Sequence, residues 1–557
     1  MIAQPLTAVL AQTDAESTRE AIEPILTILP PLAAIALALI TRQVLLSLFC
    51  GIWLGYWILH GGNPISALLG SVDSYVVNAL ADVGHAHIIL FCLSLGGMIG
   101  VIHYTGGIHG LVLLVSRLAK NSRSGQVTTG LLGTLVFFDD YANALIVGNT
   151  MRPFTDRVRI SREKLSFLVD ATAAPVATIG VISTWAAYQI GLVAKELPGL
   201  GPNPPQPYLF FLNSIPYAFY SIIMLVFVFM VASSLRDFGP MRRAEERCRA
   251  TGAVLREGAT PLVDSRVFEG AQATEVEGSA ANESPRWFNA VIPIACLLAF
   301  TAYSLFYTGM ESLREKGILS PSLREIIGDA DAYKSLLWAG FGSSFVAIAL
   351  GFLQRRGLAT LIMKWVEGAR SLVMAAMILL LAWSLGSISK DLGTGDAVVA
   401  WTPKALSPGF IPALTFGIAG IIAFATGTSY GTMAILIPIV MPLSYELSAH
   451  AQLEAAHVDT LGFATLSAIL GGSVFGDHCS PISDTTVLSS MACGADHVDH
   501  VRTQLPYALL VASAAMVSYL LVGYGIHLAL VYLIALTIVV VAFLLLTRRQ
   551  KGLAKDS

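Results

Sequence analysis

Apolar runs about as long as a bilayer is thick recur along nearly all of this chain, and nothing else constrains its fold as strongly. A helix that crosses the hydrocarbon core needs roughly 20 mostly apolar residues. Runs near that length lie at 22–40, 44–59, 87–105, 209–234, 287–307, 334–353, 371–389, 506–525 and 527–547. Two more, 165–195 and 460–491, are long enough but interrupted by polar residues, and 126–150 and 407–446 are apolar but split by polar centres. Charged residues make up 13% of the 557, against about 25% in soluble chains. The fold class expected is an all-α polytopic membrane protein with about 11 transmembrane helices plus two re-entrant hairpins. Lys and Arg number 34 against 37 Asp and Glu, which leaves no basic excess for nucleic acid. The six cysteines show no CxxC spacing, so neither a zinc site nor a disulfide scaffold is expected. The first twenty residues lack a basic start and a long apolar core, so a cleaved signal peptide is not expected.

Lys and Arg accumulate in cytoplasmic loops, and this orients the runs. Arg117, Lys120 and Arg123 precede 126–150, while Arg152, Arg157, Arg159, Arg162 and Lys164 follow it. A segment basic at both ends reads as a re-entrant hairpin, whose irregular backbone is tolerated only inside protein or along a cavity. The stretch 407–446 is followed by Glu446, Glu454 and Asp459 without Lys or Arg, so the second hairpin is expected to enter from the opposite face. The N-terminus then lies outside and the C-terminus in the cytoplasm of a multi-pass cell-membrane protein. The divisions expected are an external tail (1–21), a first transmembrane repeat (22–234), a flexible cytoplasmic linker (235–286), a second, inverted repeat (287–525), an extra span (526–547) and a cytoplasmic tail (548–557). Amphipathic stretches at 106–119 and 393–406 are expected to lie in the membrane interface as arms of a fixed scaffold.

The halves compare directly. Tyr141 in FFDDYANALIVGNTMRP lies 12 residues before Pro153, and Tyr430 in GTSYGTMAILIPIVMP lies 12 before Pro442. AAPVATIGVIST (173–184) overlays CSPISDTTVLSS (479–490) without gaps, matching Pro175 to Pro481, Val181 to Val487 and Ser183 to Ser489. Five spans and one hairpin per repeat make the second copy inverted. Inverted repeats with paired broken segments point to a secondary transporter with its site at the midplane.

The broken segments hold the polar cargo. Pro175 and Pro481 lack an N–H and clash with the carbonyl four residues back, so each helix must break there. The freed carbonyls, the hydroxyls of Thr172, Thr178, Ser183, Ser480, Ser483, Thr485 and Thr486, and the carboxylates of Asp170, Asp477 and Asp484 make an oxygen-rich site suited to a hard cation. Asp140 and Asn143 at the first hairpin's tip are expected to join it; for Asp139 a place in water is an equal alternative. His478 reads equally as a proton relay or a structural imidazole. DHVDH at 496–500 reads as a polar loop end in preference to a metal site. No cofactor and no resident metal is expected beyond transported Na+ and H+. The partners expected are inorganic cations and the lipid bilayer, and a homodimer is left open.

The segment GDHCSPISDTTVLSSMACGADHVDHVRTQLPYA (476–508) resembles the NhaC-type Na+/H+ antiporter family, whose GDHxSPISDTT pattern matches from Gly476 to Thr486. FFDDYANALIVGNTMRP and DATAAPVATIGVISTW resemble it too, and the likeness runs over roughly residues 30 to 525. It implies a scaffold, a moving transport domain with two opposed hairpins, and ion-binding roles for Asp477, Ser480, Asp484 and Thr485. Relatives in that family also carry malate, lactate or amino acids. The leading expectation is thus a sodium/proton antiporter working by alternating access, with Na+- or H+-coupled carriage of a small organic acid or amino acid as the alternative. An intramembrane aspartyl hydrolase, the enzyme reading, has no need of the repeat, the proline breaks or the hydroxyls, and an ion channel fits inverted broken repeats less well than alternating access does.

Overall fold

The computed structural model describes residues 24–41, 43–116, 119–197, 206–261, 286–318, 320–321, 326, 329–394, 407–481 and 483–548. Every regular element among them is helical. Ten helices are long and apolar enough to cross a bilayer, or up to twelve if each of two bent pairs counts as one span. The multi-pass, all-helical class expected from the apolar runs is the one observed.

The run at 44–59 forms the helix Val44–His60, which turns back by 114° into a second helical stretch, Pro64–Ala81. The stretch at 126–150 is a helix pair, Ser122–Leu135 and Asp140–Arg157, with its break at 136–139. Asn121 opens the pair with a capping box, its side chain accepting from the Ser124 N–H. The stretch at 407–446 is also a helix pair, Ile411–Thr426 and Ser429–His450. Its tip is Gly427, which adopts a left-handed φ of 68° that side chains other than glycine rarely accept. Thr428 then caps the second limb by accepting from the Gly431 N–H.

Each hairpin is followed by a broken span. In the first half this is Arg162–Asp170, Ala174–Ile179 and Thr184–Glu196, bent by 44°. Pro175 sits in the opening turn of the middle piece, where its missing N–H costs nothing. In the second half it is Ala455–Cys479 and Asp484–Cys493, with Pro481 in the gap. Ser183 and Ser483 cap the pieces that restart, each accepting a backbone N–H.

Close packing sets the height of the second break. Ile411–Thr426 runs against Ala455–Cys479, and a Cβ on Gly472 would lie 2.4 Å from the Phe416 carbonyl, one on Gly476 2.2 Å from that of Gly420. Small residues that let two backbones meet are the usual device for joining helices in lipid. Gly476 thereby fixes Asp477, its neighbour, against the second hairpin.

In its described part, residues 235–261, the expected linker is packed against other helices. Gly239–Thr251 is a helix, and Met241, Ala244, Glu245 and Cys248 on it are buried. Glu245 accepts the Ser161 N–H at 2.8 Å, Arg247 pairs with Glu163 at 2.9 Å, and Arg256 pairs with Asp499 at 2.9 Å. Composition reads as solvated here because the partners are carboxylates and backbone groups at the ends of other helices. Of the proposed interfacial arms, Gly107–Ser116 is helical, while 395–406 lies outside the described residues.

Candidate functional site

Both broken spans converge on one buried carboxylate. Asp170 ends the first piece of its span and is 2% exposed. Its Oδ2 accepts from the Gln504 amide at 2.6 Å and from the Thr486 hydroxyl at 3.3 Å, and its Oδ1 accepts from the Ser489 hydroxyl at 3.2 Å. Two imidazoles stand just beyond hydrogen-bond reach, His478 Nε2 at 3.6 Å and His500 Nε2 at 3.9 Å. Asp477, 1% exposed, accepts the Thr485 hydroxyl at 2.9 Å. Thr485 in turn shares a 2.9 Å contact with Ser483. Thr486 also reaches the Asp477 carbonyl at 3.4 Å, so this one hydroxyl lies between the two carboxylate-bearing breaks.

A chain of hydrogen bonds leads away from Asp170. Gln504 passes from Asp170 to the His500 Nε2 at 2.9 Å, His500 Nδ1 meets the Ser490 hydroxyl at 2.8 Å, and Ser490 meets His497 Nδ1 at 3.0 Å. His500 is fully buried. His478 Nδ1 contacts the Tyr220 hydroxyl at 3.0 Å.

The remaining expected site residues divide. Asn143 is fully buried, and its amide nitrogen faces the carbonyls of Gly133 (2.6 Å), Val136 (3.1 Å) and Thr172 (2.9 Å). Those carbonyls end helical pieces of both the hairpin and the broken span, so Asn143 caps two helix ends at once. Its Oδ1 has no hydrogen-bond partner among the described residues. Thr172 and Thr178 donate to carbonyls one turn back, Ser183 to that of Ala177, and Ser480 to that of Phe424. These hydroxyls tie down the breaks, with oxygen lone pairs still able to accept a cation. Asp484 begins the helix Asp484–Cys493; its side chain lies outside the described residues.

A partly open cavity of ≈ 100 Å³ lies where the two hairpin tips meet. Asp139, Asp140 and Tyr141 line it from the first tip, and Thr428, Ser429 and Tyr430 from the second. Thr485, the donor to Asp477, forms part of its wall. Asp139 and Asp140 are 9% and 4% exposed. Asp139 accepts the Thr184 hydroxyl at 3.2 Å.

Sequence reasoning missed Gln504, His500, Ser489 and Tyr220 as neighbours of the carboxylates. The DHVDH motif is not a loop end throughout: Asp496 caps the helix His497–Gly523, and His500 and Gln504 share one face of it. The i, i+4 spacing of His500 and Gln504 was the available signal.

The model of the family described as "Na+/H+ antiporter family" matches residues 176–524. An uncharacterized protein of Haemophilus influenzae is 32% identical over 510 residues, which is 89% of this chain and 90% of that one. An arginine/ornithine antiporter of Halobacterium salinarum is 27% identical over 43% of this chain and 42% of its own length. A malate-2H(+)/Na(+)-lactate antiporter of Bacillus subtilis is 27% identical over 33% of this chain and 37% of its own. Among solved structures, the Neisseria gonorrhoeae transporter MtrF aligns with a TM-score of 0.54 at 14% identity, over 89% of this chain and 96% of that one. That likeness concerns the fold alone.

Proposed function

Because the chain belongs to the Na+/H+ antiporter family, we propose that it exchanges sodium for protons by alternating access at the paired breaks. The observation that carries this reading is the position of Thr486, bonded to Asp170 of one half and to the Asp477 carbonyl of the other. Asp170, Asp477, Ser480, Ser483, Thr485 and Thr486 offer a cation oxygen donors there, beside the imidazoles of His478 and His500, with the unpartnered Asn143 Oδ1 at the hairpin. A carboxylate in hydrocarbon costs about 2.5–3.5 kcal/mol on insertion scales, so each is stabilised by taking up either a proton or a metal cation. That mutual exclusion is the chemistry of exchange. His497, Ser490 and His500 are hydrogen-bonded in series, and His500 Nε2 stands 3.9 Å from Asp170, which gives protons an approach to that carboxylate.

The halves then behave as inverted repeats, with the N-terminus outside and the basic loops inside. Sodium-driven proton movement in everted membrane vesicles tests the reading. Asp170→Asn and Asp477→Asn should each abolish exchange while the protein remains in the membrane, since Asn keeps the shape but cannot titrate. Wild-type rates in either variant refute the site.

A second reading, coupled carriage of an organic acid or amino acid, is favoured by the cavity between the hairpin tips. Its wall combines two carboxylates, hydroxyls and the rings of Tyr141, Trp185 and Tyr430, the mixture of aromatic surface and a few polar groups that small-molecule sites present. The arginine/ornithine and malate/lactate relatives support the same reading.

A further inference from the structure

We propose that the cavity between the hairpin tips is a binding site for an amino acid with a cationic side chain. The proposal rests on the transporter reading above and names the solute class of its second form. The lining carries two carboxylates, Asp139 and Asp140, and none of the described residues that line it is basic. Such a lining opposes a dicarboxylate and favours ammonium groups.

The aromatic side chains make the same selection. Tyr141, Trp185 and Tyr430 all face this cavity. The Trp185 and Tyr430 rings stand edge to face at 5.1 Å, and Tyr188 stacks behind Tyr430 at 4.2 Å and donates to its carbonyl at 2.7 Å. Ring faces attract an ammonium group, and more strongly when water is excluded.

An independent feature asks for an anionic end on the same molecule. Trp185 is 1% exposed, and its indole Nε1 has no hydrogen-bond partner among the described residues. A buried N–H left unmade costs about 1–3 kcal/mol, so this donor fits a site that a ligand acceptor completes. The helix Ser429–His450 begins at the cavity wall, and Thr428 and Ser429 belong to the lining. A helix N-terminus favours a carboxylate. Ammonium groups toward Asp139 and Asp140, with the carboxylate toward Trp185 and this helix start, describe a dibasic amino acid such as lysine.

The location also supplies coupling. Thr485 lines the cavity and donates to Asp477, so one hydroxyl separates the solute from the ion site.

Binding to the purified full chain in lipid nanodiscs, followed by calorimetry with and without sodium, tests this. The probes are lysine, cadaverine (which lacks the carboxylate) and malate (which lacks the ammonium). Lysine should bind saturably, cadaverine about tenfold more weakly for want of a charge-assisted hydrogen bond, and malate not at all. Trp185→Phe keeps the ring but removes the N–H, and should erase most of the lysine–cadaverine difference. Asp139→Asn should weaken both amines at least about fivefold. Sodium–proton exchange is measured in vesicles from the same preparations. Intact exchange with no lysine binding overturns this site and leaves the exchange reading standing. Lysine binding without exchange supports the site and overturns that reading. Malate binding as tight as lysine, or a Trp185→Phe variant indistinguishable from wild type, overturns the proposal.

Discussion

Asn143→Leu is the substitution whose cost the structure allows one to work out most directly. The Asn143 amide has two hydrogens and faces three carbonyls, those of Gly133, Val136 and Thr172, at 2.6–3.1 Å. Two bonds at full strength are therefore the most it makes at any moment. A typical hydrogen bond contributes about 1 kcal/mol net, rising to 1–3 kcal/mol where its partner is left buried and unsatisfied. Asn143 is fully buried, and no lipid group replaces the amide, so the loss should be about 2–4 kcal/mol. Leucine is close enough in volume that little of this comes from a cavity. The assay is reversible unfolding of the reconstituted protein by sodium dodecyl sulfate titration, with wild type alongside. Asn143→Asp is the internal control: an ionised carboxylate cannot donate and would oppose three carbonyl dipoles, so it should be worse than Leu at neutral pH. At acid pH, where a protonated carboxyl donates again, part of the loss should return. A Leu variant within about 0.5 kcal/mol of wild type, the usual scatter of neutral surface changes, would refute the capping role. It would also break the tie that makes hairpin and broken span one unit.

Gly476→Ala should prevent stable folding or abolish transport, because its Cβ would lie 2.2 Å from the Gly420 carbonyl, backbone that cannot swing aside; a compensating loss of thermal stability of several degrees is the readout, and an unchanged unfolding temperature refutes the close approach. A disulfide between Gly148→Cys and the native Cys493, whose Sγ would lie 3.1 Å from the new Cβ, should leave exchange running, since the first hairpin and the second broken span would travel together. A disulfide from Tyr141→Cys to Met374→Cys, across the cavity both line, should trap one access state and release it on reduction. The opposite pattern would mean the moving unit is drawn in the wrong place.

The frame of the molecule was legible because bilayer length and proline chemistry are local rules. Pro175 and Pro481 break their helices where the clash with the preceding turn requires, and Asp170 and Asp477 stand at those breaks. Gln504 was not legible: it lies on the helix His497–Gly523, over 300 residues from Asp170, and no periodicity in either segment encodes which faces meet. His500 was hidden for a related reason, since a polar cluster at a helix start reads the same whether it faces water or a buried carboxylate. Asn143 reads from the sequence as a cation ligand at the hairpin tip; its nitrogen also caps two helix ends while its Oδ1 has no partner among the described residues, a division that a list of donors without distances cannot show. Helical order at 239–251 was missed because the surface that buries Met241 and Glu245 is supplied by other helices.

On the proposed reading, one hydroxyl links the ion site to the solute cavity. Thr485 borders the hairpin-tip cavity and donates to Asp477, while its neighbour Thr486 donates to Asp170. A hydroxyl has one hydrogen. When Asp477 is protonated it no longer demands that hydrogen, and Thr485 is free to turn its O–H toward a solute carboxylate or its lone pair toward an ammonium. When Asp477 is ionised without a cation, the hydroxyl is held on it. If the cavity takes a solute and Asp477 a cation or proton, as proposed above, the 2.9 Å Thr485–Asp477 bond links the occupancy of the one to the charge state of the other. Coupling of this kind is reciprocal: if sodium or protons change the affinity for the solute by some factor, the solute must change theirs by the same factor. Thr485→Val, nearly isosteric and without the hydroxyl, should therefore leave a protein that still binds solute but whose solute affinity no longer responds to sodium. A sodium dependence that survives the substitution would place the coupling elsewhere, in the rigid-body step that moves hairpins and broken spans together.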